Sequence, residues 1–258
     1  MSRQRGQSRA KGGGNDWIYG RRPVAEVLKS GKRQAIELVL PPSIDGNDDL
    51  TEMMYLAREQ GVPVKHLQRE VLDRLCDGGN HQSVAVKAAP YPYVDIEDAI
   101  DAASEVEQPL FLILDHLEDP QNVGSLLRTA DAAGVTAVII PEDRACAVTP
   151  TVVRASAGAS EHLTIARVVN VVRAMQRLKE EGVWLTGLDM DGKCYTEVDF
   201  RGPAGLVIGA EGKGLSRLAR ENCDFIASLP MFGEVASLNA AVAGAIALYE
   251  TVRQRMKK

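Results

Sequence analysis

The sequence predicts an α/β protein, with a small αβ block followed by a larger one built on a mostly parallel sheet. Three observations carry that expectation. Short, continuous apolar runs recur between residues 110 and 229, the pattern of strands buried on both faces. Helical patterns lie between most of them, and such alternation builds a parallel sheet covered by helices. Between the blocks, Ala89-Pro90-Tyr91-Pro92-Tyr93 cannot continue a central strand, because proline lacks the ladder donor.

The first block starts at Trp17. Residues 23–30 read as a short helix stopped by Gly31, and residues 35–40 as a strand. Over residues 48–60, Leu50, Met53, Met54, Leu56 and Ala57 fall at helical spacing, and Gly61 ends the run. A strand near 62–67, a helix over 70–76 and a strand at 83–88 complete the block. The acidic segment 95–107 reads as a helical linker. In the second block strands are expected at 110–114, 137–140, 183–188, 206–208 and 225–229. Helices are expected at 120–133, 149–157, 170–181 and 215–221. Residues 237–253 read as one last helix, whose Ala240, Ala241, Ala243, Gly244, Ala245 and Ala247 let another backbone approach closely.

Composition narrows the class. A chain of 258 residues, 45% hydrophobic and 25% charged, is that of a soluble protein of about two domains rather than a disordered one. No apolar run approaches the ~18–20 residues of a membrane-spanning helix. The first fifteen residues are polar and basic, unlike a secretory signal. Cys76, Cys146, Cys194 and Cys223 form no CxxC pair, so neither zinc nor a disulfide framework is expected. A cytoplasmic address follows as the expectation. Residues 1–33 hold nine Lys/Arg against Asp16 and Glu26, a net +7; the remainder, with 21 basic and 33 acidic residues, carries −12. A positive tip on an acidic body steers toward phosphates, or it is a solvated tail.

Chemistry is sought where strands end and helices begin, because free N–H groups collect there. Three junctions stand out. In Leu114-Asp115-His116-Leu117-Glu118-Asp119-Pro120-Gln121-Asn122, Asp119 and Pro120 read as N-cap and first helical residue. Asn122 and Arg128 then lie in the first turns, either facing the cleft or acting as a cap and an ion-pair partner. The second junction, Gly209-Ala210-Glu211-Gly212-Lys213-Gly214, reverses the dinucleotide fingerprint and lacks the G-K-[ST] of a P-loop. Glu211 there is a ligand contact or a helix cap. In the third, residues 229–239, Ser237 and Asn239 are site residues or caps. Asp189 and Asp191 read as turn residues around Gly192. The four histidines show no HExxH spacing, and no G-x-S-x-G nucleophile elbow occurs. The residues alone reach a loop-built polar site on an α/β protein.

Taken together, D-P-Q-N-V-G-S-L-L-R-T-A-D-A-A-G, L-V-I-G-A-E-G-K-G-L and L-P-M-F-G-E-V-A-S-L-N-A-A-V-A resemble the three motifs of the SpoU (TrmH-like) RNA ribose 2′-O-methyltransferases of the SPOUT superfamily. I-Y-G-R-R-P-V-A-E-V-L and G-N-H-Q-S-V-A-V resemble the small RNA-binding domain of its RlmB-type branch, which methylates a guanosine ribose in large-subunit (23S) rRNA. The resemblance runs from about Trp17 to Arg253. With composition marking a basic flexible tail at 1–15 and a linker at 90–107, it implies a substrate RNA-binding domain at 16–89 and a SPOUT methyltransferase domain at 108–258. It also implies a deep trefoil knot, S-adenosylmethionine held at Gly209, Leu229, Met231 and Leu238, RNA as substrate, and a homodimer; neither a metal nor a membrane is implied. Arg128 is its central catalytic residue, with Asn122, Glu211, Ser237 and Asn239 around it. A guanidinium stays protonated in proteins. Arg128 is therefore expected to hold a phosphate or ribose oxygen while a phosphate, water or Glu211 takes the proton. The alternatives are a tRNA ribose methyltransferase and a non-catalytic RNA-binding ribosome assembly factor. Ala240-Ala241 departs from the larger apolar residue and serine common after Asn239, a matter of packing more than chemistry.

Overall fold

The computed structural model describes residues 17–235 and 237–256; the basic tail expected at 1–15 lies outside them. Among the described residues, β1 (Trp17–Tyr19), β2 (Ala35–Leu40), β3 (Val64–His66) and β4 (Ala85–Ala88) form a four-stranded sheet ordered β1-β4-β2-β3. It carries α1 (Arg21–Ser30), α2 (Asp48–Glu59) and α3 (Arg69–Leu75). Then come α4 (Ile96–Ala103), β5 (Leu110–Asp115), α5 (Pro120–Ala132), β6 (Ala137–Pro141), α6 (Pro150–Ala155), β7 (Ile165–Val168) and α7 (Val171–Glu180). The chain continues through β8 (Trp184–Cys194), β9 (Ala204–Gly209), α8 (Arg217–Asn222), β10 (Phe225–Ser228) and α9 (Ala240–Met256). These strands make a six-stranded sheet ordered β10-β8-β9-β5-β6-β7, parallel at every pairing.

Both faces of that sheet are covered, which explains the uninterrupted apolar runs. Leu112, Leu114, Leu206 and Ile208 pack on one side with Leu126 of α5 and Leu248 of α9. Phe111, Ile113 and Val207 point to the other, against Ala99 of α4, Met175 of α7 and Ala219 of α8. The small residues of α9 act as expected at Gly244, where a Cβ would stand 2.5 Å from the Leu126 side chain.

Three elements differ from expectation. β7 was absent from it, because Arg167 breaks a four-residue apolar run; pairing with β6 makes it a strand. Asp189 and Asp191 are not in a turn: β8 runs on to Cys194, where it pairs with Ser228 of β10. The strand keeps both carboxylates because Arg220 meets them, at 2.6 and 2.9 Å. The last helix begins at Ala240, since Asn239 is its cap rather than its third residue.

The first block docks on the turn after α6. Arg33 makes a bidentate pair with Glu161, Nε to Oε2 at 2.9 Å and Nη2 to Oε1 at 2.8 Å, with both side chains buried. Burial pushes the Glu161 carboxyl up, while Arg33 pulls against it. The Tyr91 hydroxyl donates between the carbonyls of Ser160 and Leu163, at 2.9 and 2.8 Å. Half-buried Lys32 also donates to Leu163 O, and desolvation lowers its pKa. Val94 bridges to Ala166 beside β7, so the proline-rich crossing is tied into the larger sheet.

Candidate active site

The carboxyl ends of β5, β9 and β8 meet at the middle of the larger sheet. Beyond β5 the chain builds outward through β6 and β7; on the other side it builds through β9, β8 and β10. Ligands of open α/β sheets bind at such a reversal of strand order. Gly209 ends β9, and a Cβ there would stand 2.2 Å from the Gly214 carbonyl carbon, so the loop folds tightly over the strand end. Gly214 turns back at φ +65, a backbone conformation that favours glycine.

Two helix starts converge on this loop. Asp119 caps α5 by accepting from the N–H groups of Gln121 and Asn122. Asn239 caps α9, its Oδ1 accepting from Ala241 N at 2.9 Å and Val242 N at 3.2 Å. Glu211 lies between the two. Asn122 Nδ2 donates to Glu211 Oε2 at 2.9 Å; Asn239 Nδ2 donates to Asn122 Oδ1 at 2.8 Å and to Glu211 Oε1 at 3.4 Å. Two side-chain amides, one at the start of each helix, therefore hold one carboxylate. Asn239 is thus both cap and cluster member, while Asn122 leaves capping to Asp119.

Beside the cluster opens a cavity of about 270 Å³. Gly209, Leu229, Met231 and Leu238 all line it, together with Glu211 and Ser237. Ala240 and Ala243 also face it, so the departure from larger residues after Asn239 enlarges this space. Among the described residues Ser237 makes no hydrogen bond to the amide–carboxylate cluster. Arg128 is not brought to it either: it is exposed on α5, six residues and so about 240° round the helix from Asn122. The guanidinium has no ion-pair partner among the described residues.

Two further carboxylates support the site beyond the expected residues. Buried Asp115, the charged end of an otherwise apolar strand, accepts from Ser216 N at 2.6 Å and so anchors the far side of the glycine loop. Asp189 lines the cavity. A charge ending the apolar run L-F-L-I-L-D was the available signal for Asp115; Asp189 had none. Burial pushes the thiols of Cys146 and Cys223 up to about 11 and about 12, so neither is a ready nucleophile. Among the described residues, no three His, Cys, Asp or Glu side chains are grouped to hold a metal ion. No helix there is long and apolar enough to cross a membrane.

A parallel sheet with a glycine loop, a cavity and a polar cluster at its switch point defines an α/β enzyme that binds a nucleotide-like ligand. Residues 109–249 match the SpoU rRNA methylase family, and residues 17–94 match the RNA 2′-O ribose methyltransferase substrate-binding family. The chain belongs to the SpoU methylase family. It is 42% identical to YacO of Bacillus subtilis strain 168, assigned to the TrmH family of tRNA/rRNA methyltransferases, over 93% of this chain and 96% of that one. Identity is 40% to the 23S rRNA (guanosine-2′-O-)-methyltransferase RlmB of Xylella fastidiosa strain 9a5c, over 93% of this chain and 97% of that protein. The SpoU methyltransferase AviRb of Streptomyces viridochromogenes, solved with its cofactor AdoMet, superposes with TM-score 0.78 at 28% identity. That superposition covers 94% of this chain and 91% of AviRb.

Proposed function

We propose that this protein transfers a methyl group from S-adenosylmethionine to a guanosine ribose 2′-hydroxyl in large-subunit (23S) rRNA. The observation that carries this reading is the Asn122–Glu211–Asn239 cluster set against the cavity. The likeness to RlmB over nearly both whole chains supports the choice of RNA. Residues 108–258 hold the chemistry, residues 16–89 bind RNA, and residues 90–107 link them. A deep trefoil knot and a cytoplasmic location belong to the same reading.

The cavity fits the cofactor: Leu229, Met231 and Leu238 give apolar walls for an adenine, and loop N–H and C=O groups at Gly209 suit its edge. The cofactor supplies an electrophilic methyl group on a positively charged sulfur. Asn122 and Asn239 hold Glu211 with lone pairs to spare, so it accepts the hydrogen bond of the ribose hydroxyl and then its proton. Arg128, exposed on α5 away from that cluster and without an ion-pair partner among the described residues, holds a backbone phosphate of the RNA. Ser237 closes the rim of the cavity beside it.

The reading includes a homodimer. Val242, Tyr249 and Met256 are 48, 52 and 78% exposed. At seven-residue spacing they form one apolar stripe along α9, with Phe232 98% exposed on the loop before it. Such a stripe suits a two-fold contact with a second copy.

The test is transfer of labelled methyl to unmodified RNA, with nucleosides analysed in each size class. Label in 2′-O-methylguanosine of large-subunit RNA is the expected outcome. Label in small RNA moves the assignment to tRNA. No label despite bound cofactor favours an RNA-binding assembly factor.

A further inference from the structure

Asp189 and Arg220 are the charged pair at the cavity that the proposed reaction does not use. β8 and β9 lie side by side, with Gly187 level with Val207 in their register. Asp189 follows Gly187 by two residues, as Gly209 follows Val207, so an acidic side chain stands just past the end of the β8–β9 pairing, next to the glycine loop. A Cβ added at Gly214 would lie 3.8 Å from both carboxylate oxygens of Asp189, which sets the carboxylate against that loop. Its other neighbours fix its orientation. Arg220 Nη1 donates to Oδ2 at 2.6 Å and Met190 N donates to Oδ1 at 2.8 Å. A carboxylate offers about four lone-pair sites; two remain, on a group that lines the cavity. Arg220 does not need Asp189 for charge balance alone, since Asp191, 71% exposed, meets it at 2.9 Å.

We propose that Asp189 is a cofactor-binding residue that accepts hydrogen bonds from the ribose diol of the adenosyl group. The chemistry is general: a cis-diol presents two adjacent donors, and a carboxylate at the end of the strand beside a glycine loop accepts them in dinucleotide-binding sheets. Arg220 and the Met190 N–H hold the acceptor in place before the ligand arrives. At the far end of the loop Glu211 faces the amide cluster, so the two carboxylates divide the cavity. Asp189 takes the nucleoside's sugar and Glu211 takes the reacting ribose. This inference rests on the cavity being the S-adenosylmethionine site.

The experiment is calorimetric binding of S-adenosylhomocysteine and of its 2′-deoxy and 3′-deoxy ribose analogues to the full chain. Wild type is compared with Asp189→Ala and Asp189→Asn, and Asp191→Asn serves as the control that touches Arg220 but not the cavity. Wild type should bind at least one deoxy analogue roughly 10- to 100-fold more weakly, the range for a hydrogen bond to a charged group. That preference should collapse to within about threefold in Asp189→Ala, weaken in Asp189→Asn and persist in Asp191→Asn. Should Asp189→Ala not fold, Asp189→Asn carries the same comparison. A deoxy preference unchanged in both Asp189 variants overturns the assignment while leaving the cofactor site intact. A variant that loses affinity for S-adenosylmethionine but not for S-adenosylhomocysteine overturns it too, by placing the carboxylate at the sulfonium. Failure of wild type to bind S-adenosylhomocysteine at all overturns the cavity reading on which it rests.

Discussion

Arg128 and Glu211 divide the charged work proposed for the site, and their surroundings differ accordingly. Glu211 is gripped by Asn122 and Asn239 at two helix starts, whereas Arg128 is exposed on α5 with its guanidinium open to solvent. A planar fork matches a phosphate bidentately; an ammonium meets it as a point charge. Arg128→Lys should therefore lower kcat/KM by about tenfold or more, and Arg128→Ala should bind RNA while turning over far more slowly still. Near-normal turnover of Arg128→Lys would remove the need for the fork. Most of this site was legible because its residues sit in three short stretches, each at a strand end. Asp115 and Asp189 were not, since their roles depend on partners 101 and 31 residues away, at Ser216 and Arg220.

Among the elements, the strands of the larger sheet were the most readable. Burial on both faces favours apolar residues throughout a strand, and β6, β9 and, up to its closing Asp115, β5 show that plainly. β7 escaped because Arg167 occupies one of its four positions. No local pattern announced the contact between blocks either, where Arg33 of the loop before β2 reaches Glu161 after α6. Removing one partner of a buried pair leaves an uncompensated charge, so Arg33→Ala should cost about 3–5 kcal/mol in denaturant unfolding. Burial already holds the Glu161 carboxyl above the ordinary range. A raised folded-state pKa favours folding at low pH, and that contribution is lost as pH rises through it. The deficit of Arg33→Ala should accordingly be smallest in acid and grow toward neutral pH. A loss that is small and flat with pH would mean that the pair does not hold the blocks together.

At the scale of the whole molecule, the first block is positioned against the methyltransferase sheet, and the exposed stripe of α9 is the surface proposed for a second copy. Tyr249 sits at its middle and is 52% exposed. Tyr249→Arg places a charge in a two-fold contact twice, so it should halve the mass seen by sedimentation equilibrium at micromolar concentration. An unchanged mass would place the dimer elsewhere or deny it. Single-turnover transfer of labelled methyl to unmodified large-subunit RNA is measured for wild type and Glu211→Gln, with cofactor and RNA affinities taken on the same preparations. Wild type should give 2′-O-methylguanosine, and the variant should form it roughly 100-fold more slowly or worse at similar affinities, the scale of a lost proton acceptor. Label on a base, or equal rates from the two proteins, would contradict the proposed chemistry.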